Sequence, residues 1–225
     1  GRMARRLSTG SRLRPAAAFL WLVAAVPALA APDGAAPAAA AGRAMFAGQP
    51  ASPAARGVAD WIVDSHDNQG LPFVIVDPAQ ARILVFDRDG RLSGAAAALL
   101  GLAHGDDSVP GIGERKLSTI RPEERTTPAG RFVSALGQDL GERDVVWVDY
   151  EAAISLHRVV TSKLKEQRLR RLATPTPDDN RISYGCINVP TSFYDAVVKP
   201  AFTGSDGVVY ILPEVRSIPE GFKGY

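Results

Sequence analysis

The stretch FVIVDPAQARILVFDRDG, Phe73 to Gly90, contains two runs rich in β-branched residues, FVIVD and RILVFD, joined by a short PAQA connection. Runs of Val, Ile and Phe bounded by turn residues read as strands, and DRDG after the second run is a strong turn signal. The same signal recurs outward from this pair. GAAAALLGL (94–102), GRFVSALG (130–137), DVVWVDY (144–150), AAISLH (152–157) and GVVYILPE (207–214) each read as a strand. Gly105 to Glu124 is polar, holds Gly and Pro, and reads as a loop. Helical spacing is confined to three places. Val58, Trp61, Ile62 and Ser65 mark a helix within 57–71, ended by DNQG. TSKLKEQRLRRLA (161–173) has helical composition with Leu164, Leu169 and Leu172 on its apolar side, and TSFYDAVVKPAF (191–202) reads as a short helix. Many short strands with few helices give a mostly β, β-rich α+β domain over 72–213, followed by a tail, 214–225.

The first thirty residues differ in kind. Arg2, Arg5, Arg6, Arg12 and Arg14 precede the apolar run AAAFLWLVAAVPALA, which ends in the small residues of a cleavage site. That is the layout of a secretory signal peptide. The run of fifteen residues contains Pro27 and falls short of the roughly 20 apolar residues a membrane span needs. Export to the periplasm or cell envelope is therefore expected, with no membrane span in the mature form. Residues 31–56, mostly Ala, Pro and Gly, read as a flexible spacer. The chain holds 26 basic against 24 acidic side chains, and five of the arginines lie in the leader, which has no acids; 21 against 24 remain beyond it. The basic balance belongs to the leader, so nucleic acid is excluded as a partner.

The chain has one cysteine, Cys186, in RISYGCINVP (181–190), and three histidines. A lone cysteine in an oxidising compartment is a buried inert thiol, an intermolecular bridge or a reactive group. A reactive thiol, only a few per cent ionised at neutral pH, needs a base and donors for the developing oxyanion. His66 ends a helix beside Asp64 and Asp67, and His104 lies in a polar loop; both read as surface residues. His157 closes the ISLH strand, where sites are often built, and Cys186 follows it by 29 positions. Spacing leaves both a Cys186–His157 pair and a structural cysteine open. Scattered histidines and one cysteine form no zinc cluster, and no cofactor is expected.

SYGCIN, Ser183 to Asn188, resembles the Ser/Thr-His-Gly-Cys-hydrophobic-Asn/Arg signature of the L,D-transpeptidase catalytic-domain family. VIVDPAQARILVFDRDG resembles the family's opening hairpin, TTPAGRF (126–132) its Thr-Pro-x-Gly-x-Phe segment, and ISLH the strand bearing its histidine. The ordered set covers roughly 72–212. Two features depart from the pattern. Tyr184 stands where the family commonly has His, and Arg158 stands where it has Gly, with an interval of 25 residues between His157 and Ser183 that is longer than the family's. The excess fits a helical insert on one rim of the site. Its Lys163, Lys165, Arg168, Arg170 and Arg171 read as a solvated helix face.

The resemblance implies an L,D-transpeptidase-like β-sandwich with Cys186 as nucleophile and His157 as its base, oriented by the backbone carbonyl of Arg158 with the arginine side chain incidental. It implies oxyanion donors at the Tyr184, Gly185 and Cys186 N–H groups, Ser183 stabilising the turn or bonding His157, and Asn188 supporting the loop from behind. A phenol at Tyr184 would orient substrate. The implied substrates are peptidoglycan stem peptides, with a stem amine, a cell-envelope protein lysine, a D-amino acid or water as acceptor. The alternatives are an L,D-carboxypeptidase or endopeptidase with the same nucleophile, or a non-catalytic wall-binding module.

Overall fold

The computed structural model describes residues 42–222 and 224–225. The stretch read as an export signal, and the linker as far as residue 41, lie outside the described residues. Ten strands are found among the described residues: β1 Phe73–Asp77, β2 Arg82–Phe86, β3 Leu92–Ala97, β4 Leu100–Gly101, β5 Gly130–Gln138, β6 Asp144–Asp149, β7 Ile154–Arg158, β8 Arg181–Ser183, β9 Ile187–Val189 and β10 Gly207–Ile211. Eight of them hydrogen-bond in the order β3-β2-β1-β10-β5-β6-β7-β9, and β4 pairs with β8. The fold is mostly β with short helices, as the strand signals indicate.

β1 and β2 form the expected antiparallel hairpin, registered from Phe73 opposite Phe86 to Asp77 opposite Arg82. β5 turns the sheet. Its first half, Gly130–Ser134, bonds β10, and its second half, Ala135–Gln138, bonds β6. The sheet therefore folds back on itself, and Val74, Val76, Ile83 and Val85 of the hairpin share one core with Val146, Leu156, Ile187 and Val189. An antiparallel bridge between Leu99 and Asn188 ties the chain after β3 to β9 and nearly closes the sheet.

The FVIVD and GVVYI runs are apolar at successive positions because their strands are buried on both faces. Their alternate residues Phe73, Ile75, Val208 and Tyr210, with Leu84 and Phe86 of β2, face a second core built with Val58, Ala59 and Ile62. These belong to helix α1, Pro53–Ser65, which begins at a Ser52 cap accepting the Ala55 N–H (3.0 Å) and ends at His66 with φ +56°. The spacer reading of 31–56 is thus corrected from residue 42 onward. Phe46 is buried with its ring edge-on to Phe86 at 5.3 Å, and Ala44 N–H donates to Asp60. Scarce apolar residues hid this segment, in which one phenylalanine anchors the chain. The segment after residue 213 is likewise more than a tail. It holds a short helix, Ile218–Gly221, and buries Phe222, which stacks on Trp61 at 6.3 Å.

The Gly105–Glu124 loop contains three single 3-10 turns, Ile112–Glu114, Leu117–Thr119 and Pro122–Glu124. The buried Glu124 carboxylate fastens it, accepting from Arg115 Nη1 (2.9 Å), Arg115 Nη2 (3.1 Å) and the Arg121 N–H (2.9 Å). The Arg115 hydrogen bonds hold its carboxyl at about 2, below the ordinary 4.5.

Two outcomes are expected. Phe222→Ala should cost about 3–5 kcal/mol of stability, read as a lower urea midpoint with an unchanged slope. Glu124 has a depressed pKa, so its contribution is complete above 4.5 and is lost as pH falls through about 2. Hydrogen exchange of the 105–124 segment should accelerate across that window in the wild type, and Glu124→Gln should already exchange fast at neutral pH.

Candidate active site

The site is built on the parallel pair β7–β9, in which His157 lies opposite Asn188 and Leu156 opposite Ile187. Cys186 directly precedes β9, so the pairing carries its side chain to the start of β7. The half-buried sulfur accepts the Ser155 N–H at 3.4 Å, with the Ser155 hydroxyl at 3.6 Å, and can donate to the Ala153 carbonyl at 3.6 Å. Burial pushes the Cys186 thiol up, but the hydrogen bond and charge of His157, with the Ser155 N–H and hydroxyl, bring it below the ordinary thiol value.

His157 Nδ1 lies 2.7 Å from the Arg158 carbonyl. A carbonyl only accepts, so Nδ1 carries a hydrogen, and in the neutral ring Nε2 is then the nitrogen that can accept a proton. The arginine side chain, read as incidental, is engaged as well. Arg158 Nη1 and Nη2 donate to the two Asp144 oxygens (3.0 and 3.2 Å), Nε donates to Asp195 (2.8 Å), and the guanidinium lies 4.3 Å from the centre of the buried Tyr194 ring. The Arg158 hydrogen bond holds the Asp144 carboxyl below its ordinary value. The residue whose carbonyl orients His157 is itself pinned to β6 and to the helical segment after β9.

The cysteine turn is closed by side chains. Ser183 Oγ donates to the Cys186 carbonyl (2.6 Å) and accepts the Gly185 N–H (3.0 Å). Of the two roles expected for Ser183 the structure shows the turn, and one expectation is corrected: the Gly185 N–H, expected as an oxyanion donor, is taken by the Ser183 hydroxyl. Gly185 has φ +132°, and a Cβ there would stand 2.6 Å from both the Thr126 carbonyl oxygen and Ile154 Cδ1, so no other residue fits. The TTPAGRF segment supplies the wall: Thr127 Oγ1 donates to the Gly185 carbonyl (2.7 Å) and accepts the Gly101 N–H (2.9 Å). Asn188, fully buried, donates Nδ2 to the Cys186 carbonyl at 3.3 Å. The Tyr184 ring carries the Arg125 guanidinium 4.0 Å from its centre and the Lys163 ammonium at 5.9 Å.

The insert also departs from the sequence reading. It forms a 3-10 turn at Leu164–Glu166 and a short helix, α2 Arg168–Ala173, separated by Gln167 at φ +47°. Leu164 and Leu169 are exposed, whereas Arg168, read with the solvated basic face, is buried. His66 and His104 are both exposed and stand apart from the thiol, His104 against Glu214 at 3.0 Å. Ser155 and Thr127 were absent from the sequence-derived site. A hydroxyl in a strand has no local signature, although the Thr-Pro-x-Gly segment marked Thr127's neighbourhood. Among the described residues no three His, Cys, Asp or Glu side chains are grouped as metal ligands would be.

Solved structures similar to this one are L,D-transpeptidase catalytic domains. One from Xylanimonas cellulosilytica is 15% identical over 63% of this chain and 60% of its own, with a TM-score of 0.38. One from Mycobacterium tuberculosis is 15% identical over 62% and 57%, at 0.38. The catalytic domain from the Enterococcus faecium L,D-transpeptidase is 17% identical over 63% of this chain and 96% of that domain, at 0.32. The chain spans 49% and 60% of the length of the first two chains it matches. At such identities and TM-scores the likeness carries no inference about activity. No family model and no curated protein matches the sequence.

Alkylation of Cys186 by iodoacetamide should follow a pH profile with its inflection below that of a free thiol. His157→Ala removes the largest lowering influence, so its inflection should move up, and an inflection one pH unit higher cuts the rate at neutral pH about tenfold. A profile indifferent to His157 would sever the pair.

Proposed function

We propose that this chain is a cysteine acyltransferase of the L,D-transpeptidase type, acting on peptidoglycan tetrapeptide stems through a thioester. The observation that carries the reading is the β7–β9 pairing, which sets His157 opposite Asn188, two residues after Cys186, with His157 Nδ1 locked on the Arg158 carbonyl so that Nε2 can take a proton; the direction in which His157 moves the thiol agrees with it. The ordered motif resemblance over 72–212 supports the choice of substrate.

The steps follow from these groups. Nε2 takes the Cys186 thiol proton as the sulfur attacks the carbonyl of the third stem residue. With the Gly185 N–H engaged by Ser183, the N–H groups of Tyr184 and Cys186 are the donors for the tetrahedral oxyanion. Collapse breaks the peptide bond, the terminal D-alanine leaves as an amine carrying the proton from His157, and the stem remains as a thioester. An acceptor amine then attacks the thioester. Its proton passes through His157 back to the sulfur, and the thiol is regenerated with a new amide bond. The Ala30-terminated leader supports export, so the reaction belongs to the periplasm or cell envelope. Among the described residues no helix is long and apolar enough to cross a membrane.

The test is incubation of the mature protein with purified tetrapeptide muropeptides. Wild-type protein should release D-alanine and give a joined product short of one D-alanine. Cys186→Ala should abolish release, and His157→Ala should slow it by about 10²–10⁴-fold. Release with tripeptide alone means that water is the acceptor, and a new amide to an added D-amino acid or a protein lysine identifies those acceptors. Folded wild-type protein that binds cell wall without any release would make the chain a wall-binding module and end the proposal.

A further inference from the structure

The insert between β7 and β8 reaches the cysteine turn through Asn188 and Tyr184. Arg168, 8% exposed, projects from α2 and donates Nη1 to Asn188 Oδ1 (2.7 Å) and Nε to Glu166 Oε2 (2.6 Å). A buried guanidinium survives only if it is paired and hydrogen-bonded, so this placement is specific. We propose that Arg168 is a positioning residue for Cys186, and that the insert is thereby a working part of the site.

The side-chain amide of Asn188 connects the two. An amide can present either its oxygen or its NH2 group, and the two ends are nearly alike in shape. Arg168 is a donor without acceptor capacity, so Oδ1 must turn towards it. Nδ2 is then directed at the Cys186 carbonyl, where it adds a second hydrogen bond to that of Ser183 Oγ. Two donors on one carbonyl fix the plane of the following peptide, and with it the direction of the Cys186 side chain towards Ser155 and His157. Without the guanidinium, Oδ1 is left buried and unpaired, and the amide loses the anchor that holds Nδ2 on the Cys186 carbonyl. The insert touches the turn a second time through Lys163 above the Tyr184 ring. The remaining basic residues differ: Arg170 is exposed and reaches only Gln167, while Arg171 binds the Glu166 and Asp179 carbonyls within the insert.

The inference rests on Cys186 being the reactive thiol and is independent of the substrate. Iodoacetamide alkylation of the full chain across pH reads it directly. Arg168→Met should raise the inflection and slow alkylation at neutral pH, about tenfold if the inflection rises by one pH unit. Arg168→Lys, another pure donor, should restore most of the loss, which a merely structural role would not require. Arg170→Ala should match the wild type. A folded Arg168→Met protein with the wild-type profile overturns the proposal, as does equal damage from Lys and Met. Should Arg168→Met fail to fold, Arg168→Gln replaces it: glutamine is shorter and uncharged and cannot span Asn188 Oδ1 and Glu166 as the guanidinium does, so a wild-type profile there is equally fatal. A lowered wild-type inflection without D-alanine release would leave this inference standing while the transpeptidase reading fell; an ordinary free-thiol profile in the wild type would remove both.

Discussion

The parallel pairing of β7 with β9 is the constraint on which the site depends. It joins two segments whose reactive side chains are 29 positions apart in sequence and sets His157 level with Asn188. A parallel pair needs a crossover connection, and the insert supplies it. The connection then folds back and places Arg168 against the residue opposite His157. The crossover thereby contributes, through Arg168 and Asn188, to the hydrogen bonding around the cysteine turn.

Around that pair, polar side chains hold the reactive backbone in place of regular ladder bonds. Ser183, Thr127 and Asn188 are all buried, and between them they satisfy the two carbonyls of the Gly185–Cys186 turn, Thr127 that of Gly185 and the other two that of Cys186. The positive φ of Gly185 and the absence of a Cβ let this turn sit against Thr126. Arg158 plays the corresponding part for the histidine, its side chain pinned by Asp144 and Asp195 while its carbonyl holds Nδ1.

Legibility followed the range of the interactions. The β1–β2 hairpin was plain because its apolar runs and turn residues are local. Nothing local showed that α1 and the segment around Phe222 supply a second layer against the same strands. Residues 42–52 looked like linker because Ala, Pro and Gly dominate them, and a single buried ring at Phe46 is too sparse a pattern for periodicity to register. In the insert, alternating leucines and basic residues suggested an amphipathic helix with its charges in water. Packing reversed that order, leaving Leu164 and Leu169 exposed and burying Arg168, because the available partner was the amide of Asn188.

By itself the sequence determined a mostly β domain and singled out its candidate site groups: one thiol behind a glycine, one histidine at a strand end, and serine and asparagine around the thiol. These are properties of residue type and short-range order. Only the tertiary structure decided which N–H groups stay open and which are spent, which face of the insert turns inward, and that Arg158 acts through its side chain as well as its carbonyl. The reason is that a hydrogen bond is exclusive. The Gly185 N–H can serve Ser183 or an oxyanion, and the choice depends on distances of a few tenths of an ångström that no residue pattern encodes.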